Sequence, residues 1–220
     1  MQPRFRQDYA GEFIILETTW SGGKRQEKRE WIQNPIENQH ISNRATCIGS
    51  SINKDLFDYT RLDKHRGGLL GSMKLQNYGT GAIAKQMRLD FSVESNSKVL
   101  QELVDTDYQE HNIVYTTARN CIANPGQFYL IPQHPKLSDL ALPLYLASFD
   151  GHQEIFLIGY NNETPADDRR WIDQITDVIA SYSGVKFYTL GEVTNIPTQW
   201  LDLSNTSHLS WRDFIGYCDI

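Results

Sequence analysis

Residues 137–190 decide the fold class and read LSDLALPLYLASFDGHQEIFLIGYNNETPADDRRWIDQITDVIASYSGVKFYTL. An apolar helical pattern comes first and leads into EIFLIGYN, a strand-like run that is interrupted at Gly159 and Asn161. A second helical pattern, DDRRWIDQITDVIASYSG, leads into the strand-like VKFYTL. Two short apolar runs joined by a helix are typical of a βαβ unit, whose parallel strands are buried on both faces of a sheet.

An open parallel sheet binds its ligands in the crevice outside the carboxyl ends of its strands. The sequence therefore predicts an α/β fold with a ligand site at that edge. The expected architecture is a single Rossmann-like, mostly parallel sheet with helices on both faces, an N-terminal β-hairpin and a C-terminal extension.

Turn residues divide the rest of the chain. Residues 12–33 predict a β-hairpin that turns at Gly22 and Gly23. NRATCIGSS predicts the first parallel strand and a tight turn, and the glycine-rich stretch after it predicts a strand around residues 73–78. The predicted divisions are a hairpin arm at 1–36, a Rossmann-like domain at 37–192, and an extension at 193–220 that wraps this domain and has a short helix near 210–217.

Composition narrows the class of protein. The 220 residues carry a net charge of −6, which argues against broad binding of nucleic acid because that needs a basic face. We expect no membrane span, because the chain has no apolar run near 18 residues, and no signal peptide. The three cysteines include no CxxC pair, so we predict no disulfide framework and no structural zinc. A reducing, cytoplasmic location fits this cysteine usage.

The order of elements resembles a known family. One strand ends in CIGSS, a second ends in LDFSVES before a helix, and the turn KLSD opens a helix that leads into GHQEIFLIGYN. Over residues 43–190 this order resembles the Rossmann-like fold of the bacterial sialyltransferases and of their motility-accessory and hydroxymethylpterin-pyrophosphokinase-like relatives. The chain is also similar to uncharacterised proteins of T4-like phages, which would place it in the host cytoplasm.

The resemblance implies a nucleotide-sugar-dependent glycosyltransferase that is metal-independent, inverting, and without a bound cofactor. In the family, the turn after the first strand holds the nucleotide phosphate, and a position like Asn77 lies near the donor sugar. The nucleotide or nucleotide sugar would contact Gly49, Ser50, Ser51, Asn53, Asn77, Ser138, Tyr160 and Asn161. Ser50 and Ser51 have an alternative interpretation as helix N-caps, which serine favours irrespective of any ligand.

A transferase of this kind needs a general base. His134 follows a predicted strand in IPQHPK, and an imidazole there could take a proton near neutral pH. The alternative is an ordinary histidine in an exposed loop. Asp90 and Glu94 are predicted on one face of a strand, where a carboxylate pair could serve acid–base chemistry or a metal, or could be a solvated strand end.

Departures from the family pattern leave a second function open. The phosphate turn reads IGSSI where the family has G-N-G-P-S, and Asp139 stands where the family has glycine. No histidine lies between the late strand and the final helix. The alternative is a non-catalytic accessory or virion-associated protein that binds a protein partner through the hairpin or the C-terminal tail. Action on modified DNA is a third possibility, which the acidic charge disfavours.

Overall fold

A computed structural model describes residues 11–33, 42–50, 58–63, 75–133, 135–162 and 169–220. Within these ranges the chain forms one eight-stranded sheet, one two-stranded hairpin and helices on both faces of the larger sheet. None of the described helices is long and apolar enough to cross a membrane.

The elements follow in chain order. The strands are β1 (Gly11–Ser21), β2 (Lys24–Gln33), β3 (Arg44–Ile48), β4 (Gln76–Thr80), β5 (Phe91–Val93), β6 (Ile113–Thr116), β7 (Tyr129–Leu130), β8 (Glu154–Ile158), β9 (Lys186–Leu190) and β10 (Thr206–Leu209). The helices are α1 (Thr60–Asp63), α2 (Gly81–Ala84), α3 (Ser97–Asp105), α4 (Tyr108–His111), α5 (Ala118–Ala123), α6 (Leu142–Phe149), α7 (Arg170–Ser181), α8 (Thr198–Leu201) and α9 (Trp211–Cys218).

The strand order of the large sheet reverses beside β3. Its strand order is β10-β9-β8-β3-β4-β5-β6-β7, and every neighbouring pair is parallel. From β3 the chain adds strands outward to β7, returns to β8 on the other side of β3, and then adds β9 and β10. The predicted α/β class and parallel sheet are confirmed. The reversal between β3 and β8 is the topological switch point at which such sheets form a crevice.

Two apolar cores lie on the two faces of this sheet, because neighbouring residues of a strand point to opposite faces. Cys47 of β3 and Leu157 of β8 belong to the core under α6 and α7. Ile48 and Phe156 belong to the opposite core, with apolar residues of α3 and α9. Every residue of α6 is buried. The continuous apolar pattern of this helix therefore reflects burial on all sides rather than one amphipathic face.

Helix α6 begins at Leu142, five residues later than the apolar pattern from Leu137 suggests. Two polar residues explain the delay, because their groups are engaged outside the helix. The backbone N–H of Ser138 donates to Oε1 of Gln174 on α7 (2.8 Å), and the Asp139 carboxylate accepts from Ser95. The sequence 137–141 forms a turn that anchors the helix start to two other elements.

The hairpin is confirmed, with its turn at Gly22 and Gly23, whose φ angles of 58° and 74° suit glycine. The C-terminal segment contributes β10, which extends the sheet edge beside β9. It also buries Trp200 and Phe214 completely. The predicted short helix near 210–217 corresponds to α9. The division into three parts stays a prediction, although residues 193–220 contribute a strand to the sheet as well as covering the domain.

Candidate functional site

The turns after β3 and β8 touch each other at the switch point. The backbone N–H of Gly49 donates to the carbonyl of Ile158 (2.7 Å). A Cβ on Gly49 would lie 2.7 Å from the carbonyl oxygen of Gly159, which is closer than real Cβ atoms approach backbone. Only glycine fits at position 49. The two turns therefore form a closely packed floor at the carboxyl edge of the sheet.

Some of the predicted ligand residues lie together at this floor. Gly49 and Ser50 follow β3, and Asn161 follows β8; Ser50 is exposed and Asn161 is half-buried. These three positions form the part of the predicted site that is assembled within the described ranges. The other predicted positions Ser51 and Asn53, and the predicted base His134, lie outside the described residues.

Tyr160 follows β8 but is buried in the core beneath the turns. Only 1% of the residue is exposed, and it packs in the same core as Cys47 and Trp171. Burial raises the pKa of its phenol well above the ordinary value. Among the described residues its hydroxyl has no hydrogen-bond partner. The side chain of Tyr160 supports the backbone of Gly49 from below, since its ring would lie 3.0 Å from a Cβ at that position.

Asn77 lies at the amino half of β4, away from the carboxyl edge. Its Oδ1 accepts a hydrogen bond from the Thr46 hydroxyl, and its backbone N–H donates to Oδ2 of Asp90 (2.8 Å). Its amide nitrogen has no partner among the described residues. The predicted strand at 73–78 ended beside Asn77, whereas β4 ends at Thr80. This shift of the strand moves Asn77 from the end of the strand to its beginning.

Ser138 lies at the carboxyl edge, next to the end of β5. The neighbouring residue places it there, because Asp139 Oδ1 accepts from the backbone N–H of Ser95 (3.1 Å) and from the Ser95 hydroxyl. The Ser138 hydroxyl oxygen is buried and has no partner within the described ranges. The Asp139 carboxylate is thus engaged in tying the start of α6 to the turn after β5.

Glu94 is the residue at this edge whose role sequence reasoning did not identify. It follows β5 directly and is only 3% exposed, so the interpretation as a solvated strand end is wrong. Its Oε2 accepts from the N–H of Gly81 (3.1 Å) and its Oε1 from the N–H of Asn96 (2.8 Å). Burial, together with the nearby charge of Asp139, raises the pKa of Glu94 to about 7. The carboxyl group joins the turns after β4 and β5.

Asn120 completes this set of polar contacts. Its amide donates to the carbonyl of Ser95 (3.0 Å) and to the hydroxyl of Thr116 (2.9 Å), which ties the turn after β5 to the end of β6. The signal available in the sequence was the polar run Glu94 to Asn96 directly after a strand. Asp90 precedes β5 and Glu94 follows it, so the two carboxylates are at opposite ends of this short strand.

Metal and thiol chemistry find no support in the described ranges. No three His, Cys, Asp or Glu side chains there are grouped so that they could hold a metal ion. The cysteines Cys47, Cys121 and Cys218 are free and buried. Burial raises the pKa of the Cys121 thiol to about 12, so it is not an activated thiolate at neutral pH.

His152 belongs to a buried network at the amino edge of the sheet. Its Nδ1 donates to the carbonyl of Ser42 (2.7 Å), and its Nε2 lies 2.8 Å from the hydroxyl of Tyr78. That hydroxyl also donates to Oδ2 of Asp150 (2.7 Å). The network joins β4 to the turns before β3 and β8, on the side of the sheet opposite the crevice.

Comparison with known proteins adds little to this geometry. No protein-family model matches the chain, and no curated protein matches it. The sialyltransferase CstII from Campylobacter jejuni, solved in complex with a substrate analogue, cytidine-5′-monophosphate, is 12% identical over 66% of this chain and 78% of its own, with a TM-score of 0.42. The sialyltransferase CST-II in complex with trisaccharide acceptor and CMP is 11% identical over 66% of this chain and 80% of its own, with a TM-score of 0.40.

A likeness of this extent carries no argument about activity, and the fold assignment rests on the sheet topology of the chain itself. The similarity to phage proteins stays a prediction.

Proposed function

We propose that the protein binds a nucleotide or nucleotide sugar across the carboxyl ends of β3 and β8. The observation that carries this proposal is the contact between the turns at Gly49 and Gly159, at the one place where the order of the parallel strands reverses. Open α/β sheets bind ligands at such a point. Gly159 is half-buried and presents backbone without a side chain at this edge, where a phosphate could approach closely.

The phosphate would lie over the turn that begins at Gly49. Ser50 is exposed there and offers a hydroxyl, while Asn161 faces the same edge from β8. Ser51 and Asn53, which follow in sequence, would add further donors. Two acidic groups at the same edge are restrained, because Glu94 is buried and Asp139 accepts two hydrogen bonds from Ser95.

The reaction we propose at this site is glycosyl transfer with inversion. The acceptor hydroxyl oxygen would form a bond to the anomeric carbon as the bond from that carbon to the phosphate oxygen breaks, and a base would take the hydroxyl proton. We propose His134 for this base. Glu94 does not suit the role, although its pKa lies near neutrality, because both of its oxygens face backbone N–H groups and only 3% of the residue is exposed.

Thermal unfolding with a panel of nucleotides and nucleotide sugars tests the binding step. The panel includes CMP, which the two similar sialyltransferase structures contain. A ligand that binds only the native state must raise the midpoint, by an amount that corresponds to about 2.7 kcal/mol at a hundredfold excess over Kd. Asn161→Asp should remove the shift, because a carboxylate there would repel phosphate. Gln153→Glu is the matched control. It makes the same charge change at the amino end of β8 and should leave the shift of the midpoint unchanged.

His134→Ala separates catalysis from binding. It should keep the nucleotide-induced shift and lower the transfer rate by about 10²- to 10⁴-fold, which is the usual contribution of a general base. Equal shifts in Asn161→Asp and Gln153→Glu would contradict the proposed site, and an unchanged rate in His134→Ala would contradict the proposed base.

A non-catalytic accessory role is the second candidate function. The observation that favours it is the exposure of Phe13, Trp20 and Trp31 on the hairpin, since exposed aromatic residues are enriched in protein interfaces. This function predicts that no nucleotide or nucleotide sugar in the panel changes the midpoint of unfolding.

A further inference from the structure

The hairpin of β1 and β2, which we call the arm (residues 11–33), has its buried contacts with the other described residues near its base. Ile14 is buried there with apolar residues of the second core, and the Glu12 carboxylate accepts a hydrogen bond from the backbone N–H of Gln133. From Glu17 to the turn, every residue of β1 is exposed. An isolated two-stranded hairpin is marginally stable in water, so the outer part of the arm lacks the packing that a hairpin ordinarily needs.

A β-bulge places the aromatic residues of the arm on one face. Ile15 lies opposite Arg29, but Glu17 lies opposite Lys28, so Leu16 is an extra residue in β1. Because side chains alternate between the faces of a strand, one extra residue reverses which side the rest of the strand presents. Trp20 therefore shares a face with Phe13 and Ile15. Without the bulge it would lie on the opposite face.

This shared face, which we call the aromatic face, is apolar at both ends. From base to tip its residue pairs are Phe13 with Trp31, Ile15 with Arg29, Thr18 with Glu27, and Trp20 with Arg25. The exposed fractions are 66% for Phe13, 46% for Ile15, 73% for Trp20 and 44% for Trp31. Tryptophan and arginine are the residues that most often carry binding energy in protein interfaces.

The charged residues in the middle of the aromatic face are already ordered. Glu27 pairs with Arg25 (2.7 Å) and with Arg29 (2.6 Å), its neighbours two residues away on the same face. Holding these long side chains in place in the single chain reduces the entropy that a partner would otherwise have to remove.

We propose that the aromatic face binds the same face of a second copy of this chain, with the two arms antiparallel about a two-fold axis. The axis would lie between the pair Ile15 and Arg29 and the pair Thr18 and Glu27. It would bring each end of one aromatic face against the opposite end of the other. Trp20 and Arg25 of one copy then meet Phe13 and Trp31 of its partner. In the centre, Arg29 of one copy meets Glu27 of the other, so opposite charges face each other.

The charge of the arm, residues 11–33, fits this occupant. The arm contains four acidic and four basic residues, so two arms can approach without net repulsion although the whole chain carries −6. A nucleic acid would instead need an excess of basic residues on the arm.

Sedimentation velocity over a range of protein concentrations tests the proposal. The wild-type chain should form a dimer. Arg29→Glu should raise the dimer Kd at least about tenfold, because it sets a carboxylate against Glu27 of the partner. Lys28→Glu is the matched control: it makes the same charge change one residue away on the opposite face and should change Kd less than about twofold. Adding Glu27→Arg to Arg29→Glu restores opposite charges and should recover much of the affinity.

Trp20→Ser is an independent variant and should also weaken the dimer at least about tenfold. Trp20 and Arg29 are exposed, so circular dichroism and the unfolding midpoint should show folded protein for all these variants. A wild-type chain that stays monomeric into the high micromolar range overturns the proposal. Binding of a different protein by such a monomeric chain would not restore it. A dimer that Arg29→Glu and Lys28→Glu weaken equally overturns it as well.

Discussion

At the scale of single residues, the decisive feature of the carboxyl edge is a buried acid. Glu94 is enclosed between the turns that begin at Gly81 and Asn96, with a carboxylate neighbour in Asp139. Its pKa of about 7 means that it is largely protonated in mildly acidic solution and ionised in mildly basic solution. Ionisation of a group this deeply buried costs free energy, which the backbone N–H groups of Gly81, Ser95 and Asn96 offset only in part.

Glu94 should therefore make stability depend on pH. Its pKa is raised on folding from an ordinary 4.5 to about 7, so its stabilising contribution is complete below pH 4.5 and is lost as pH rises to about 7. Relative to Glu94→Gln, the wild-type free energy of unfolding should fall by about 3 kcal/mol across that interval, at about 1.4 kcal/mol per unit. Urea unfolding at several pH values measures the difference.

Asp139→Asn provides the control for this prediction. It keeps an oxygen that can accept from Ser95 but removes the neighbouring charge, so the upper limit of the pH interval should move down. Parallel pH profiles for the wild type and Glu94→Gln would show that Glu94 is not the group responsible.

At the scale of secondary-structure elements, a single amide connects the end of α7 to the last strand. The side chain of Asn205, just before β10, donates to the carbonyls of Ile179 (3.0 Å), Tyr182 (3.3 Å) and Val185 (3.2 Å). The last carbonyls of a helix have no partner within the helix. Asn205 satisfies them from a distant part of the sequence and so sets where α7 ends relative to the sheet.

Asn205→Ala should lower the free energy of unfolding by about 1–3 kcal/mol, because it removes the donor of these part-buried hydrogen bonds. Asn205→Asp should cost more, since its carboxylate would face those carbonyl oxygens. Gln199→Ala removes an exposed hydrogen bond from α8 to Asp173 of α7. It should change the free energy of unfolding by less than about 0.5 kcal/mol. Chemical denaturation measures all three, and equal losses for positions 205 and 199 would contradict the assignment.

At the scale of the whole molecule, the two appended segments differ in what they contribute to the core. Residues 193–220 complete the sheet with β10 and bury Trp200 and Phe214, both with 0% exposure. Among the described residues of the arm, only Ile14 is buried. The C-terminal segment is therefore part of the cooperative unit, whereas the arm is largely an addition to it.

Truncation should show this contrast directly. A chain that ends at residue 192 should lose cooperative thermal unfolding, because two large aromatic side chains leave the core and β9 becomes an open edge. A chain that lacks residues 1–36 should keep a cooperative transition at a somewhat lower midpoint. Circular dichroism during heating distinguishes the two outcomes. A cooperative transition of undiminished midpoint in the chain that ends at 192 would instead favour a wrapping extension without a role in the core.

Several features followed from the sequence by itself. Each of the following has a local pattern of apolar residues or glycines: the parallel strands β3, β8 and β9, helix α7, and the hairpin turn at Gly22 and Gly23. These patterns act over a few residues and need no knowledge of distant contacts. The same holds for Gly49, whose position directly after an apolar strand indicated a tight turn at the carboxyl edge.

Only the tertiary structure decided the remaining features. The place of Asn77 depends on how far β4 extends beside β3. The pKa of Glu94 depends on which groups cover the end of β5. The mildly polar β10 becomes a strand because β9 offers an open edge. Each is determined by groups far away in sequence. Local patterns determine which segments can be helix or strand, whereas pairing and burial determine where those segments end and which polar groups they enclose.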